Sequence, residues 1–332
     1  MATPPHKMIP PDTAPAFLDR HGWGGARIVP LAGDASFRRY FRVHADDGST
    51  AVLMDAPPDK EDSRPFLAIG KHLDTLGFSA PQPLAADLAQ GLILLEDFGD
   101  DRVGPVLARE PARERVVYEA AVDVLADLHR HPATDVAPYD EPELLREARL
   151  FPDWYLPAVG VAEAPGYDAA WAQLWPAVLA GPRVLTLRDY HADNLMIIDR
   201  PGIRGLGLLD YQDALAGHPA YDLASLLQDI RRIVSPELEA AMLDRYIAAR
   251  TGVDEAAFRI AYDILGAQRN IKILGVFTRL YVRDGKPGYP AFHPRLWELV
   301  ARTLQSPALA PVAAWFAAHV PPAARQGVQV PA

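Results

Sequence analysis

Between residues 27 and 95 apolar and polar side chains alternate with the period of strands. In SFRRYFRV, Phe37, Arg39, Phe41 and Val43 alternate with Arg38, Tyr40 and Arg42, and DDGS at 46–49 supplies a hairpin turn before TAVLM. PLAAD and LILLE form a second strand pair around a turn at 89–91, and the spacing of Phe66, Leu67, Leu73 and Leu76 predicts a short helix over 64–76 between the pairs. After EDFGD the period becomes helical. Val116, Val117, Ala120, Val124 and Leu128 fall on one face of a helix that Pro132 ends, and further helices are predicted at 142–150, 168–180, 219–234, 236–250, 254–282 and 294–304. The expected fold is α+β and two-lobed: a β-rich lobe over 1–95, a hinge at 96–101 and a helical lobe over 102–332.

One stretch of the helical lobe departs from helical spacing. LRDYHADNLMIIDRPGIRGLGLLDYQDA, residues 187–214, holds five Asp and one of the two Asn of the chain. RVLTL before it, with LMII and GLGLL inside it, are short β-like runs, and DRPG at 199–202 is a turn signal. In an antiparallel hairpin turning near Pro201, Asn194 lies opposite residues 207–210, which brings Asn194 and Asp210 together. Asp189 precedes Asn194 by five residues, in the loop that enters the same strand. Asn and Asp oxygens suit Mg²⁺, which takes hard donors and keeps several waters. A further carboxylate that binds no metal can take the proton of a hydroxyl. Together these describe phosphoryl transfer from ATP, with Asp189 as the catalytic base and Asn194 and Asp210 as metal ligands. Asp193, Asp199 and Asp213 are read as supporting or turn residues, and His191 as a structural hydrogen-bond partner rather than a base.

Composition narrows the partners. Hydrophobic residues make up 49% of the 332 and charged residues 23%, an ordinary globular balance. A formal charge of −10 with no basic run argues against nucleic acid and anionic membrane surfaces. No cysteine is present, which removes thiol catalysis, zinc–thiolate sites and disulfides together. The Pro-rich start MATPPHKMIPPDTAP lacks the apolar core of a signal peptide, so the expected compartment is the cytoplasm. LAPVAAWFAAHV, from Leu309, is too short to span a bilayer and is expected to be a core helix.

These residues resemble the aminoglycoside phosphotransferase and choline kinase family, relatives of the protein kinases. RDYHADN resembles the family's catalytic loop, LLDYQDA its metal-binding segment and HPAYDLA the following helix start, where the resemblance gives Asp222 the task of supporting the catalytic loop. LILLEDF resembles the hinge, which implies that backbone near Glu96 holds adenine. GDASFRRYFRV, VLMDAPPDKEDSRPF, LFPDWYL and QRNIKILGVFTRLYVRDGKP are similar to the anomeric sugar kinases of bacterial cell-wall recycling. Those enzymes phosphorylate N-acetylmuramate and N-acetylglucosamine at C1, so a small-molecule sugar acceptor is implied.

Two departures stand out. Leu187 occupies the position of the family's His before the catalytic Asp, so the brace usually made there must come from elsewhere. Met54 stands where TAVLM should carry a phosphate-binding Lys, which leaves Arg38, Arg39, Lys60, Arg64 and Lys71 as candidate cations. Gly33 and Ser36, in the GDAS loop, are expected to offer backbone N–H groups to phosphate, with Arg38 beside them. Trp154 and Tyr155 of FPDWY offer flat faces for a sugar ring. Arg269, Lys272 and Arg279 on one predicted helix favour a neutral or anionic acceptor, and Arg269 and Lys272 are expected to face it. Two other readings compete: an aminoglycoside or choline acceptor on the same fold, and a non-catalytic nucleotide-binding module, for which the missing Lys is the argument.

Overall fold

The computed structural model of the chain describes residues 8–33, 37–161 and 164–329. The described residues divide into two units: those up to 109 together with 193–213, and those of 110–192 together with those from 214 on.

In the first unit the two predicted strand pairs join into one antiparallel sheet. Its strands are β1 (Arg27–Gly33), β2 (Arg39–His44), β3 (Thr50–Asp55), β4 (Pro83–Asp87) and β5 (Leu92–Glu96), in the order β1-β2-β3-β5-β4. Alternation decides which side chains meet. Phe41 and Val43 on β2, Ala51 and Leu53 on β3, and Leu92 and Leu94 on β5 form one cluster with Ala14, Phe17 and Leu18. These last three belong to the helix Ala14–Arg20, which has no counterpart among the predicted elements; at 7 residues it is too short for its period to declare itself. The predicted helix at 64–76 forms as Arg64–Thr75. Phe37 lies before β2 and is 63% exposed, whereas Arg38, expected on the polar face, is buried.

The segment 193–213, expected in the helical lobe, packs with the β-rich unit for a hydrogen-bonding reason. Leu195–Ile197 and Leu206–Leu208 pair as the expected hairpin, with Leu195 opposite Leu208. Their outer edges are then satisfied by the first unit: Leu208 N–H donates to the Ser79 carbonyl and Ile197 N–H to the Asp101 carbonyl, each at 2.8 Å. Tyr211 stacks on Phe66 of the Arg64–Thr75 helix, with ring centroids 5.1 Å apart.

The second unit is helical. Asp140, Ser235 and Asp254 cap the helices Glu141–Ala148, Pro236–Ala248 and Glu255–Val282 by accepting the N–H three residues on, at 3.2, 3.1 and 3.0 Å. The last runs 28 residues and packs against the helices Ala220–Leu227 and His293–Thr303 and the turn Phe151–Tyr155. Gly275 permits that last approach, because a Cβ there would collide with the Leu150 carbonyl. Two predicted helices are shorter than expected. The one at 219–234 ends at Leu227, beyond which Asp229 accepts the Arg231 N–H at 2.8 Å in a turn. The one at 168–180 splits into Tyr167–Ala172 and Trp175–Leu179, since Pro176 has no N–H to continue the first. The helix Glu114–Leu128 buries Val117, Tyr118, Ala121, Val122, Leu125 and Leu128 and leaves Val116 exposed. The late apolar segment forms the helix Ala310–His319, and no helix among the described residues is long and apolar enough to cross a membrane.

Candidate active site

In the helical unit Val184–Thr186 pairs antiparallel with Leu215–Gly217, and all three residues of the first strand are buried. The chain then turns sharply, with Arg188 at φ 71°, in the left-handed region that a side chain disfavours. Two hydrogen bonds hold it there. The N–H groups of Leu187 and Arg188 donate to Oδ2 and Oδ1 of Asp222, both at 2.7 Å. Asp222 is fully buried in the first turn of Ala220–Leu227, where free N–H groups and the helix dipole favour a carboxylate. The clamp fixes the backbone immediately before Asp189, whose own N–H donates to the Leu187 carbonyl at 2.9 Å. The brace that Leu187 cannot supply therefore comes from Asp222, backed by His129, whose Nε2 lies 3.8 Å away and whose Nδ1 meets the Tyr246 hydroxyl at 2.8 Å.

Burial alone would push the Asp189 carboxyl up, but the charges of Lys272, His191, Arg269 and Arg188 outweigh it and leave its pKa lowered. Asp189 is thus an ionised acceptor at neutral pH. Lys272 donates to Glu147 Oε2 at 3.0 Å and to the Tyr221 hydroxyl at 2.8 Å. Arg188 pairs with the other oxygen of Glu147, and the Tyr139 hydroxyl also donates to Glu147. Glu147 is only 2% exposed. Burial would raise its pKa; Lys272, Arg188 and Tyr139 hold it down to about 2.

In the β-rich unit the hairpin brings Asn194 and Asp210 together, the Asn194 amide donating to Asp210 Oδ2 at 3.3 Å. The pairing extends past the strands, Leu209 N–H donating to the Asn194 carbonyl at 3.0 Å. Asp210 has φ 58°, a second strained non-glycine position, and its Oδ1 accepts from Gln212 Nε2 at 2.8 Å. No group of three His, Asp or Glu that could hold a metal occurs among the described residues. Two adjacent oxygen donors, one of them a partly exposed carboxylate, nevertheless fit Mg²⁺, which commonly takes one or two protein oxygens and completes its shell with water and phosphate.

The same carboxylate faces a cation. Arg38 lies 3.9 Å from Asp210 Oδ1 and donates to Glu61 Oε2 at 3.2 Å, while Glu61 Oε1 accepts the Phe37 N–H at 3.1 Å. The other candidates for the missing Lys are placed differently. Arg39 is bonded to Asp55 at 2.7 Å and to the Ile9 carbonyl at 3.0 Å, and Lys60 and Arg64 pair with the exposed Asp59 and Asp62. Lys71 is exposed, and Met54 is fully buried in β3.

Of the remaining expected residues, Gly33 ends β1 opposite Arg39, and Ser36 lies outside the described residues. Glu96 ends β5, donates its N–H to the Gln82 carbonyl at 2.8 Å and pairs through its side chain with Arg200. Trp154 is half-buried. Tyr155 is a core side chain rather than an open sugar platform: it has no exposed surface, stacks on Phe151 and bonds through its hydroxyl to Trp297 Nε1 and the Ala324 carbonyl, each at 2.7 Å. The turn Phe151–Tyr155, packed closely on Gly275 of the long helix, carries it inward. Glu61, Glu147, Tyr139 and Tyr221 were not among the candidates. Glu61 sits in the charged run DKEDS, which reads as solvated; Glu147 does carry a signal, because it falls on the apolar face of its helix with Leu144 and Ala148.

A model of the phosphotransferase enzyme family matches residues 27–258. A protein of Caulobacter vibrioides named N-acetylmuramate/N-acetylglucosamine kinase is 40% identical, covering 92% of this chain and 95% of its own. A protein of Pseudomonas aeruginosa with the same name is 39% identical, covering 85% of this chain and 86% of its own. Among solved structures, a choline/ethanolamine kinase family protein from Mesorhizobium loti superposes with a TM-score of 0.61 at 16% identity, over 95% of this chain and 99% of that one. An aminoglycoside phosphotransferase in complex with gentamicin superposes with a TM-score of 0.61 at 14% identity, over 91% of this chain and 99% of that one. The fold is therefore that of these protein-kinase-like enzymes, and the chain belongs to the phosphotransferase enzyme family.

Proposed function

We propose that the chain transfers the γ-phosphoryl group of ATP to the anomeric C1 hydroxyl of N-acetylmuramate and N-acetylglucosamine, in the cytoplasm, as a step of peptidoglycan recycling. The observation that carries phosphoryl transfer is the Asp222 clamp on the strained backbone before Asp189, followed five residues later by the hydrogen-bonded pair Asn194 and Asp210. The names of the 40% and 39% identical relatives support the acceptor.

In this reading Asp189 accepts the hydrogen bond of the C1 hydroxyl, orients its oxygen for attack on the γ-phosphorus and takes the proton as the P–O bond forms and ADP departs. A carboxylate with a lowered pKa is a weak base, so orientation is the larger part of its task. An anomeric hydroxyl is more acidic than an ordinary alcohol, which suits such a base. Asn194 and Asp210 would hold Mg²⁺, which when bound neutralises phosphate oxygens. Arg38, fixed by Glu61, supplies the phosphate-facing cation that Met54 lacks, which weakens the case for a non-catalytic module. Backbone at Gly33 and near Glu96 would complete the nucleotide contacts, and residues near Trp154, Arg269 and Lys272 the acceptor contacts.

Purified protein with ATP and Mg²⁺ should form ADP with either sugar, and the product should show ³¹P–¹³C coupling at C1. ADP formation with choline or an aminoglycoside but neither sugar would sink the acceptor assignment.

A further inference from the structure

Among the groups whose charge bears on Asp189, Arg188, Lys272 and Arg269 are not equivalent. Arg269 and Lys272 lie three residues apart on one face of the helix Glu255–Val282, and Arg188 is its chain neighbour. Lys272 and Arg188 each pair with one oxygen of Glu147, and Lys272 donates a further hydrogen bond to Tyr221. Arg269 is different. It is 3% exposed, its charge acts on Asp189 without a hydrogen bond or a close ion pair among the described residues, and its Nη1 has no hydrogen-bond partner among them. A guanidinium does not give up its proton, so a buried one is stabilised only when an acceptor or anion meets it.

We infer that Arg269 reads an anionic substituent of the acceptor beside Asp189, and that Glu147 leaves it this task by holding Lys272 and Arg188. The inference rests on the proposed acceptor. N-acetylmuramate carries a lactyl carboxylate, whereas N-acetylglucosamine is neutral, so Arg269 is a specificity-determining residue that favours the first. Its planar fork matches a carboxylate with two parallel N–H···O bonds.

The test is the ratio of kcat/KM for N-acetylmuramate to that for N-acetylglucosamine. Arg269→Ala should lower it about ten- to hundred-fold, as for loss of a hydrogen bond to a charged group. Arg269→Lys should lower it less, because the charge stays and the fork is lost. Lys272→Met should reduce turnover of both sugars together and leave the ratio in place. A ratio unmoved by Arg269→Ala overturns the inference. Should that variant fail to fold, the wild-type enzyme with the neutral lactyl amide of N-acetylmuramate gives the answer: its KM should rise above that of the acid, and equal KM values overturn the inference. Wild-type enzyme inactive on both sugars brings down the acceptor assignment and the inference with it. Activity on both with an unmoved ratio brings down only the role of Arg269.

Discussion

Arg38 and Glu61 form an ion pair of 3.2 Å with both side chains largely out of water, and the far side of the same guanidinium lies 3.9 Å from Asp210. One carboxylate thus orients the cation toward another, the proposed metal ligand Asp210. Arg38→Ala should raise the Kd for ATP in the presence of Mg²⁺ about ten- to hundred-fold, and Glu61→Gln should move it the same way by less. Titration calorimetry reads both, and unchanged affinity in Arg38→Ala would remove it from the nucleotide site.

Asp189 and Asp210 should separate kinetically. Asp189→Asn keeps the shape but not the base, so kcat should fall about 10²- to 10⁴-fold while nucleotide binding survives. Asp210→Ala should instead weaken the Mg²⁺-dependent part of nucleotide binding. Near-normal kcat in the first variant, or unaltered Mg²⁺ dependence in the second, would reverse the assignment.

Asp222→Ala leaves the buried N–H groups of Leu187 and Arg188 without their acceptor. Each orphaned group costs about 1–3 kcal/mol, so the variant should show a lowered Tm. Because the freed turn carries Asp189, kcat should fall further than KM changes. A variant that loses stability yet retains full turnover would show that the clamp holds the fold alone.

Glu147 makes stability depend on acid. Its pKa is held at about 2 in the folded protein against an ordinary 4.5, so its contribution is complete above about pH 4.5 and is lost as the pH falls through about 2. Below 4.5 the unfolded chain takes up the proton first, which favours unfolding. Denaturant titrations between pH 6 and pH 3 should therefore show a steeper decline for wild type than for Glu147→Gln. Parallel declines would place the acid sensitivity elsewhere.

Much of the fold is legible in local pattern, because strand alternation and capping residues such as Ser235 and Asp254 act within a few positions. The extent of Ala220–Leu227 is not, since the turn at Asp229 depends on one side-chain hydrogen bond. The candidate chemistry at Asp189, Asn194 and Asp210 is legible because these residues share one loop and one hairpin. Arg38–Glu61 and the Glu147 cluster are not, since their members lie 23 and up to 125 residues apart and meet only after folding. Tyr155 misleads for a related reason: an aromatic side chain reads the same in sequence whether it lines a site or fills a core.

The hairpin of 193–213 completes the β-rich unit although some eighty residues of the helical unit are made before it. At about 5–20 residues per second, the strands β1–β5 leave the ribosome several seconds ahead of the segment that covers Ser79 and Phe66. During that interval the Ser79 and Asp101 carbonyls lack their N–H partners and Phe66 lacks the ring that stacks on it. No single stretch of the gene encodes the β-rich unit, so a fragment cut at residue 109 should be aggregation-prone, and supplying 193–213 through a designed linker should restore its solubility.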